Sequence, residues 1–258
     1  MKLNLSGRTQ MMDAYPAPKA LERMKQLGFT GAEICVEDLA FGIRPELLDR
    51  SFLAEVAAAA RALDLVAWSY SYHADYIRND DVLDRTVRTI RLTPEVGTDV
   101  FVFSGGRSDK HADRSDEWNA LVGRTRILVR EAEACGVRLA LETEPGFICG
   151  TTAQLLRLMD ELDSPALCCN MDIGHAFLCD PDPIAAIAAL GDRIVHCHLE
   201  DMKRGVHDHL LPGRGDMDLP AFVEALGRTG CTGPAALDLY GYDYEKVVPQ
   251  ALAYLSEL

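Results

Sequence analysis

The sequence predicts an α/β protein, and within that class a single (β/α)8 TIM barrel spanning residues 1–258. Three observations carry this. Short apolar runs alternate strictly with longer segments of helical period, which argues a parallel sheet with right-handed crossovers. The alternation is completed eight times, ~32 residues apart if the length divides evenly, and eight units argue closure of the sheet on itself. The turn after the first strand, SGRTQ (6–10), has no G-x-G-x-x-G, which counts against a doubly wound dinucleotide-binding sheet. No linker or low-complexity stretch divides the chain, so one domain is expected.

Taken in order, the first strand is KLNLS (2–6), followed by the helix APKALERMKQLG (17–28), which ends on a glycine, a usual helix stop. AEICV (32–36) leads to the Ala- and Leu-rich pattern 44–64, with apolar residues at i, i+3 and i+4. LVAWSYS (65–71) precedes a helix over 80–97, and DVFVFS (99–104) one over 115–136. VRLALE (137–142) and ALCCNMD (166–172) are followed by helices at 151–163 and 182–192. IVHCHLE (194–200) and PAALDLY (234–240) precede the last two, at 218–230 and 242–258.

Composition narrows the function classes. With 26 basic and 40 acidic residues the chain carries a formal charge of −14, which repels phosphate backbones and makes nucleic acid an unfavourable partner. Four of the eight cysteines (Cys35, Cys168, Cys169 and Cys197) fall inside strand-like apolar runs, where cysteine acts as a small hydrophobe. No cysteine spacing matches a structural zinc site. The stretch MKLNLSGRTQ has no apolar leader core, and no run reaches the ~20 apolar residues of a membrane span, so a reduced, cytoplasmic protein without a membrane partner is expected. A homo-oligomer is compatible with the sequence, since helix faces of such barrels often pair.

Chemistry in such barrels sits at the C-terminal ends of the strands. Four successive strands end in a polar group: Glu142 (LALETEPG), Asp172 (NMDIGHA), His198 (HCHLED) and Asp238 (AALDLYG). Alone, a strand-end Asp is more often a helix cap and a strand His a hydrogen-bonded core residue. Together the four would repel unless neutralised, and three carboxylates with one imidazole make a cage for one divalent ion. Oxygen-rich ligation favours Mn²⁺, with Mg²⁺, Co²⁺ or Zn²⁺ also accommodated. Four of the seven histidines lie between 193 and 219. His196, on the same face as His198, reads as a core group or a support for it, while His207 and His209 sit in a charged Gly- and Pro-containing loop. Glu33 is a weaker candidate on the second strand.

LETEPG, NMDIGHAFL, HCHLEDMKRGVHDHLLPGRGDMDL and LDLYGYD resemble the xylose-isomerase-like barrel superfamily over nearly the whole chain. The superfamily includes sugar isomerases and epimerases, inosose-pathway enzymes and the endonuclease IV type. The resemblance implies metal ligands at Glu142, Asp172, His198 and a last-strand carboxylate, here Asp238. Sugar epimerases of this type usually carry Glu there, where it also serves as acid or base; Asp is one methylene shorter, so ligation fits better than proton transfer.

The expected activity is therefore a divalent-metal-dependent isomerase or epimerase of a sugar, sugar acid or cyclitol, working through a metal-stabilised enediolate. The expected catalytic groups are Glu142 as base, Asp238 and His175. Substrate contacts are expected from His175, His207, His209, Arg214, Glu144, Trp68 and His73, with a small polyhydroxy substrate as partner. The aromatic residues Trp68, Tyr70, Tyr72 and Phe103 either stack on a sugar ring or fill the barrel. Three alternatives remain open: a keto-polyol dehydratase sharing the same intermediate, a metal-dependent phosphodiesterase of the endonuclease IV type, and a non-catalytic barrel. For the phosphodiesterase, His175, His207 and His209 could hold a second metal. The early strands, with FSGG at 103–106 and only His73 nearby, lack the histidines of a full three-metal set.

Overall fold

A computed structural model describes residues 4–36, 48–109, 111–231 and 234–258. The strands are β1 (Asn4–Arg8), β2 (Gly31–Val36), β3 (Val66–Tyr72), β4 (Val100–Ser104), β5 (Arg138–Glu142), β6 (Leu167–Asp172), β7 (Ile194–Leu199) and β8 (Pro234–Leu237). They close into a parallel barrel in sequence order, β1 pairing with both β2 and β8. The helices are α1 (Ala17–Leu27), α2 (Arg50–Ala62), α3 (Asp80–Val96), α4 (Arg114–Cys135), α5 (Thr152–Leu162), α6 (Ile173–Cys179), α7 (Pro183–Leu190), α8 (Leu219–Arg228) and α9 (Tyr244–Leu255). The chain is thus a single (β/α)8 barrel. Among the described residues no helix is long and apolar enough to cross a membrane.

Every expected strand is present, with shifted ends. β1 runs two residues past its expected end, to Arg8, while residues 2–3 of that expectation lie outside the described residues. Residues 44–47 of the second helical pattern lie outside them too. β8 stops at Leu237, so Asp238 is the first residue beyond the strand. Helix starts follow capping chemistry: Asp49 accepts from Phe52 N at 2.8 Å, and Thr151 with Gln154 forms a capping box on α5. Gly28, at φ 99°, closes α1 in the left-handed conformation that glycine adopts without steric cost.

Apolar side chains such as Leu53, Val56, Ile90, Leu121, Leu155, Ile187 and Val248 pack the helices onto the barrel. The barrel's upper interior differs. Ser69, Ser71, Glu33, Asn170, His196 and His198 are buried there in place of aliphatic residues. A polar group in such a place must be paired. The pairing network is what sets the geometry of the strand ends.

Candidate active site at the C-terminal mouth of the barrel

β1 delivers Arg8 and β2 delivers Glu33, both fully buried. The Arg8 guanidinium bonds Glu33 Oε1 (3.1 Å) through Nε and Asp238 Oδ1 through its terminal nitrogen. Glu33 also accepts from Ser71 Oγ at 2.8 Å and meets His198 Nε2 at 3.0 Å. The last contact turns His198: with Nε2 engaged by a carboxylate, Nδ1 faces the barrel mouth. There it lies 3.1 Å from Glu142 Oε2 and 3.8 Å from both Asp172 Oδ2 and Asp238 Oδ2. A carboxylate orienting an imidazole in this way is the usual outer support of a metal-binding histidine.

Asn170, one register step below Asp172, donates to Glu142 Oε2 at 2.7 Å and so fixes that carboxylate. Asp172 ends β6 and caps α6, accepting from His175 N at 2.7 Å through Oδ1. This short helix leaves the strand directly and brings His175 back over the mouth. His175 Nδ1 meets the Thr143 carbonyl at 3.0 Å, and its Nε2 lies 2.9 Å from His207 Nε2. The 201–217 segment that carries His207 and His209 is held by one buried carboxylate. Asp201 accepts from the backbone nitrogens of Met202, Gly213, Gly215 and Met217 at 2.8–3.2 Å. His209 Nδ1 ends 3.5 Å from Asp238 Oδ2.

The charges interlock. Burial pushes the Glu142 carboxyl up, but His198 and His175 outweigh it and hold it well below the carboxylate range. Burial works against Asp172 ionisation as well, yet His175 and His198 bring it down to about 2. His175 is raised to about 9: burial opposes the cation, and Asp172 and Glu142 overcome it. Burial with the Glu142 charge pushes Glu144 up to about 7, and burial lowers His73. Burial also takes His196 down to about 3. His196 is a neutral core group, its ring bonded to Ser69 Oγ (2.9 Å) and Asn170 Oδ1 (2.8 Å).

The donor set fits a divalent cation. Glu142, Asp172 and His198 each offer a ligand atom within 4.8 Å of the others. His198 Nδ1 and Asp172 Oδ2 are buried without a hydrogen-bond partner, the state in which an ion's ligands stand before the ion is placed. Above them a cavity of about 370 Å³ is lined by Arg8, His73, Glu142, Glu144, His175 and Asp238, among others.

Of the residues expected in the site, Glu142, Asp172, His198, Asp238, His175, His209, Glu144 and His73 converge here, and His207 joins through His175. Two do not. Trp68 lies near the N-terminal end of β3 and lines a depression with Val66, Asp99 and Pro234, at the opposite mouth of the barrel. It is on the right strand but about four residues too deep to reach the site, a separation of ~13 Å at strand rise. Arg214 is exposed on the loop, outside the cavity lining, because Asp201 anchors the neighbouring backbone and turns the side chain to solvent. Tyr70, Tyr72 and Phe103 belong to the hydrophobic core. Arg8 and Glu200 also reach the mouth: Arg8 lies in a stretch whose sequence reads as a turn, and Glu200 directly follows β7 beside Asp201.

A family model described as xylose isomerase-like TIM barrel matches residues 21–258. Among curated proteins, the chain is 27% identical over 232 residues to a 3-dehydroshikimate dehydratase of Pseudomonas putida, covering 86% of this chain and 36% of that protein. It is 26% identical over 179 residues to an inosose dehydratase of Lacticaseibacillus casei, covering 62% of this chain and 60% of that protein. The chain therefore spans from about a third to three fifths of the length of these relatives. Among solved structures, 3-keto-D-glucoside 4-epimerase of E. coli superposes with a TM-score of 0.83 at 19% identity, each chain covered completely.

Proposed function

The chain belongs to the xylose isomerase-like TIM barrel family, and we propose that within it the protein is a divalent-metal-dependent enzyme that dehydrates a small keto-polyol. The observation that carries this is the charge partner of Asp238. Epimerisation by proton removal and return needs two proton carriers on opposite faces of the reacting carbon. Across the mouth from Glu142, the carboxylate available is Asp238, and its Oδ1 is taken up by a direct ion pair with the buried Arg8 guanidinium. Dehydration needs one base and one acid, and both can come from the Glu142 side. The likeness to two proteins named dehydratases supports the same reading.

Glu142, Asp172, His198 and Asp238 would hold the ion, with Glu33 keeping His198 Nδ1 aimed at it. A bound Mn²⁺, or Mg²⁺, Co²⁺ or Zn²⁺, would polarise a substrate carbonyl and acidify the adjacent C–H. His73 lines the cavity, its Nε2 has no hydrogen-bond partner, and burial keeps it neutral at pH 7, so it is placed to take that proton. Glu144 lines the same cavity and retains its proton up to about pH 7, so it is placed to give a proton to the departing hydroxyl. The balance is one C–H and one C–O bond broken, one C=C bond formed and water released. His175 remains to contact the other hydroxyls.

The test is incubation of Mn²⁺-loaded protein with 3-dehydroshikimate, an inosose and a 3-keto-glucoside in D₂O. We expect an ultraviolet-absorbing conjugated product that has lost water. A deuterated epimer or isomer that retains all its oxygens would overturn the dehydratase assignment and return the earlier expectation of an isomerase or epimerase.

A further inference from the structure

We propose that the barrel mouth binds a second divalent cation, of the Mn²⁺ or Zn²⁺ type, between Asp172, Glu200, His209 and Asp238. The proposal rests on the first cage, because Asp172 and Asp238 would serve both ions. Glu200, the residue after β7, has no place in the reaction above. It is fully buried, and its Oε1 accepts from Gly174 N at 2.6 Å while its Oε2 has no partner. The same division holds at the other three residues. Asp172 commits Oδ1 to His175 N and leaves Oδ2 without a partner. Asp238 commits Oδ1 to Arg8 and turns Oδ2 toward His209 Nδ1 at 3.5 Å. His209 approaches His207 through Nε2 (3.3 Å) and leaves Nδ1 without a partner. One ligand atom from each residue lies within 4.8 Å of the other three. Bond lengths of ~2.0–2.2 Å put two ligands of one ion up to ~4.4 Å apart, so the four atoms close on a central ion with shifts of a few tenths of an ångström.

Two further features support the site. Gly174 makes room for Glu200: a Cβ at that position would stand 2.3 Å from Glu200 Oε1 and 2.5 Å from Met202 Cε. Charge balance points the same way. Glu33, Glu142, Asp172, Glu200 and Asp238 are all buried, and Arg8 is the buried guanidinium among them. Carboxylates gathered in this way repel one another, and bound dications relieve that repulsion. Two ions sharing carboxylates in this way sit ~3.5–4 Å apart, close enough to couple magnetically.

The experiment counts Mn²⁺ bound to the metal-stripped, reloaded protein by elemental analysis and records its electron paramagnetic resonance spectrum. We expect about two ions per chain and an exchange-broadened spectrum, as for carboxylate-bridged pairs. Glu200→Gln and His209→Ala should each bind about one ion with an uncoupled signal, and His207→Ala should keep two. His209 is on the loop, so its variant tests the site even if Glu200→Gln unfolds. One ion in the wild type, with Glu200→Gln no different, overturns the second site and leaves the first standing. No ion overturns both. Loss of the second ion in His207→Ala places it among His175, His207 and His209 and also overturns the assignment.

Discussion

Replacing Glu33 by Gln tests whether the His198 orientation is built for an ion. Glu33 is fully buried and serves Arg8 (3.1 Å), Ser71 (2.8 Å) and His198 (3.0 Å) at once. Gln keeps the shape, but its amide nitrogen must face a donor on one side or the other. Two effects follow. The buried guanidinium keeps only Asp238, and losing a partner of a buried ion pair costs ~3–5 kcal/mol in the apo protein. His198 loses its orienting carboxylate, which weakens metal binding by ~10–100-fold. At a Mn²⁺ concentration of ~1,000 times the wild-type Kd, bound ion stabilises the wild type by ~4.1 kcal/mol. The same concentration is ~10–100 times the variant's Kd, so the increment falls to ~1.4–2.7 kcal/mol. Urea unfolding at pH 7.5 with and without Mn²⁺, read by far-ultraviolet circular dichroism, separates the two effects. A Mn²⁺ increment unchanged to within ~0.5 kcal/mol would refute the role given to Glu33, whatever the apo stability did.

Arg8→Met takes the guanidinium from Glu33 and Asp238, so the apo protein should lose ~3–5 kcal/mol and gain more from Mn²⁺ than the wild type does; urea midpoints read both. Burial holds His73 below its usual 6.5, and a neighbouring dication acts in the same direction, so the active unprotonated base is lost only as pH falls below 6.5. The acidic limb of kcat/KM should lie below that pH and disappear in the residual activity of His73→Asn. Gly174→Ala drives a methyl into Glu200 and Met202 and should cost ~1–3 kcal/mol by thermal or urea unfolding. Trp68→Phe, at the far mouth of the barrel, should leave kcat/KM within about twofold of wild type; a tenfold loss, ~1.4 kcal/mol in the transition state, would contradict its placement.

The parts of this fold that were legible are those encoded locally. Alternation of apolar runs marks the strands because they are largely buried on both faces, and the end of α1 follows from Gly28 in the adjoining sequence. The strand-end rule brought Glu142, Asp172, His198 and Asp238 to one axis without any long-range information. Arg8 escaped because its meaning is a contact across 230 residues, made only when β1 closes on β8. Nothing in SGRTQ distinguishes an arginine in a turn from one sealed inside a barrel. Trp68 failed for a different reason. Period-two alternation reports the face of a strand and not the depth along it, so Trp68 could be put on a strand and not at an end. The helix α6 is shorter than any periodic pattern, and Asp172 closes a strand and opens a helix in the same residue.

The case of Arg8 bears on the chemistry. It is a charge whose partners are remote in sequence, and such a charge decides what a mouth of common ligands can do. The same four strand ends with an uncharged residue at position 8 would leave Asp238 Oδ1 without its ion-pair partner on the side of the mouth across from Glu142. With Arg8 in place, Asp238 Oδ1 is held in an ion pair, and in the proposed reaction the acid–base work falls to His73 and Glu144, which line the same cavity. The Asp201-anchored loop brings His209 beside that carboxylate, and Glu200, directly after β7, lies within 4.8 Å of both. On the proposed reading, therefore, one guanidinium on β1 bears on which groups of the mouth remain for acid–base work.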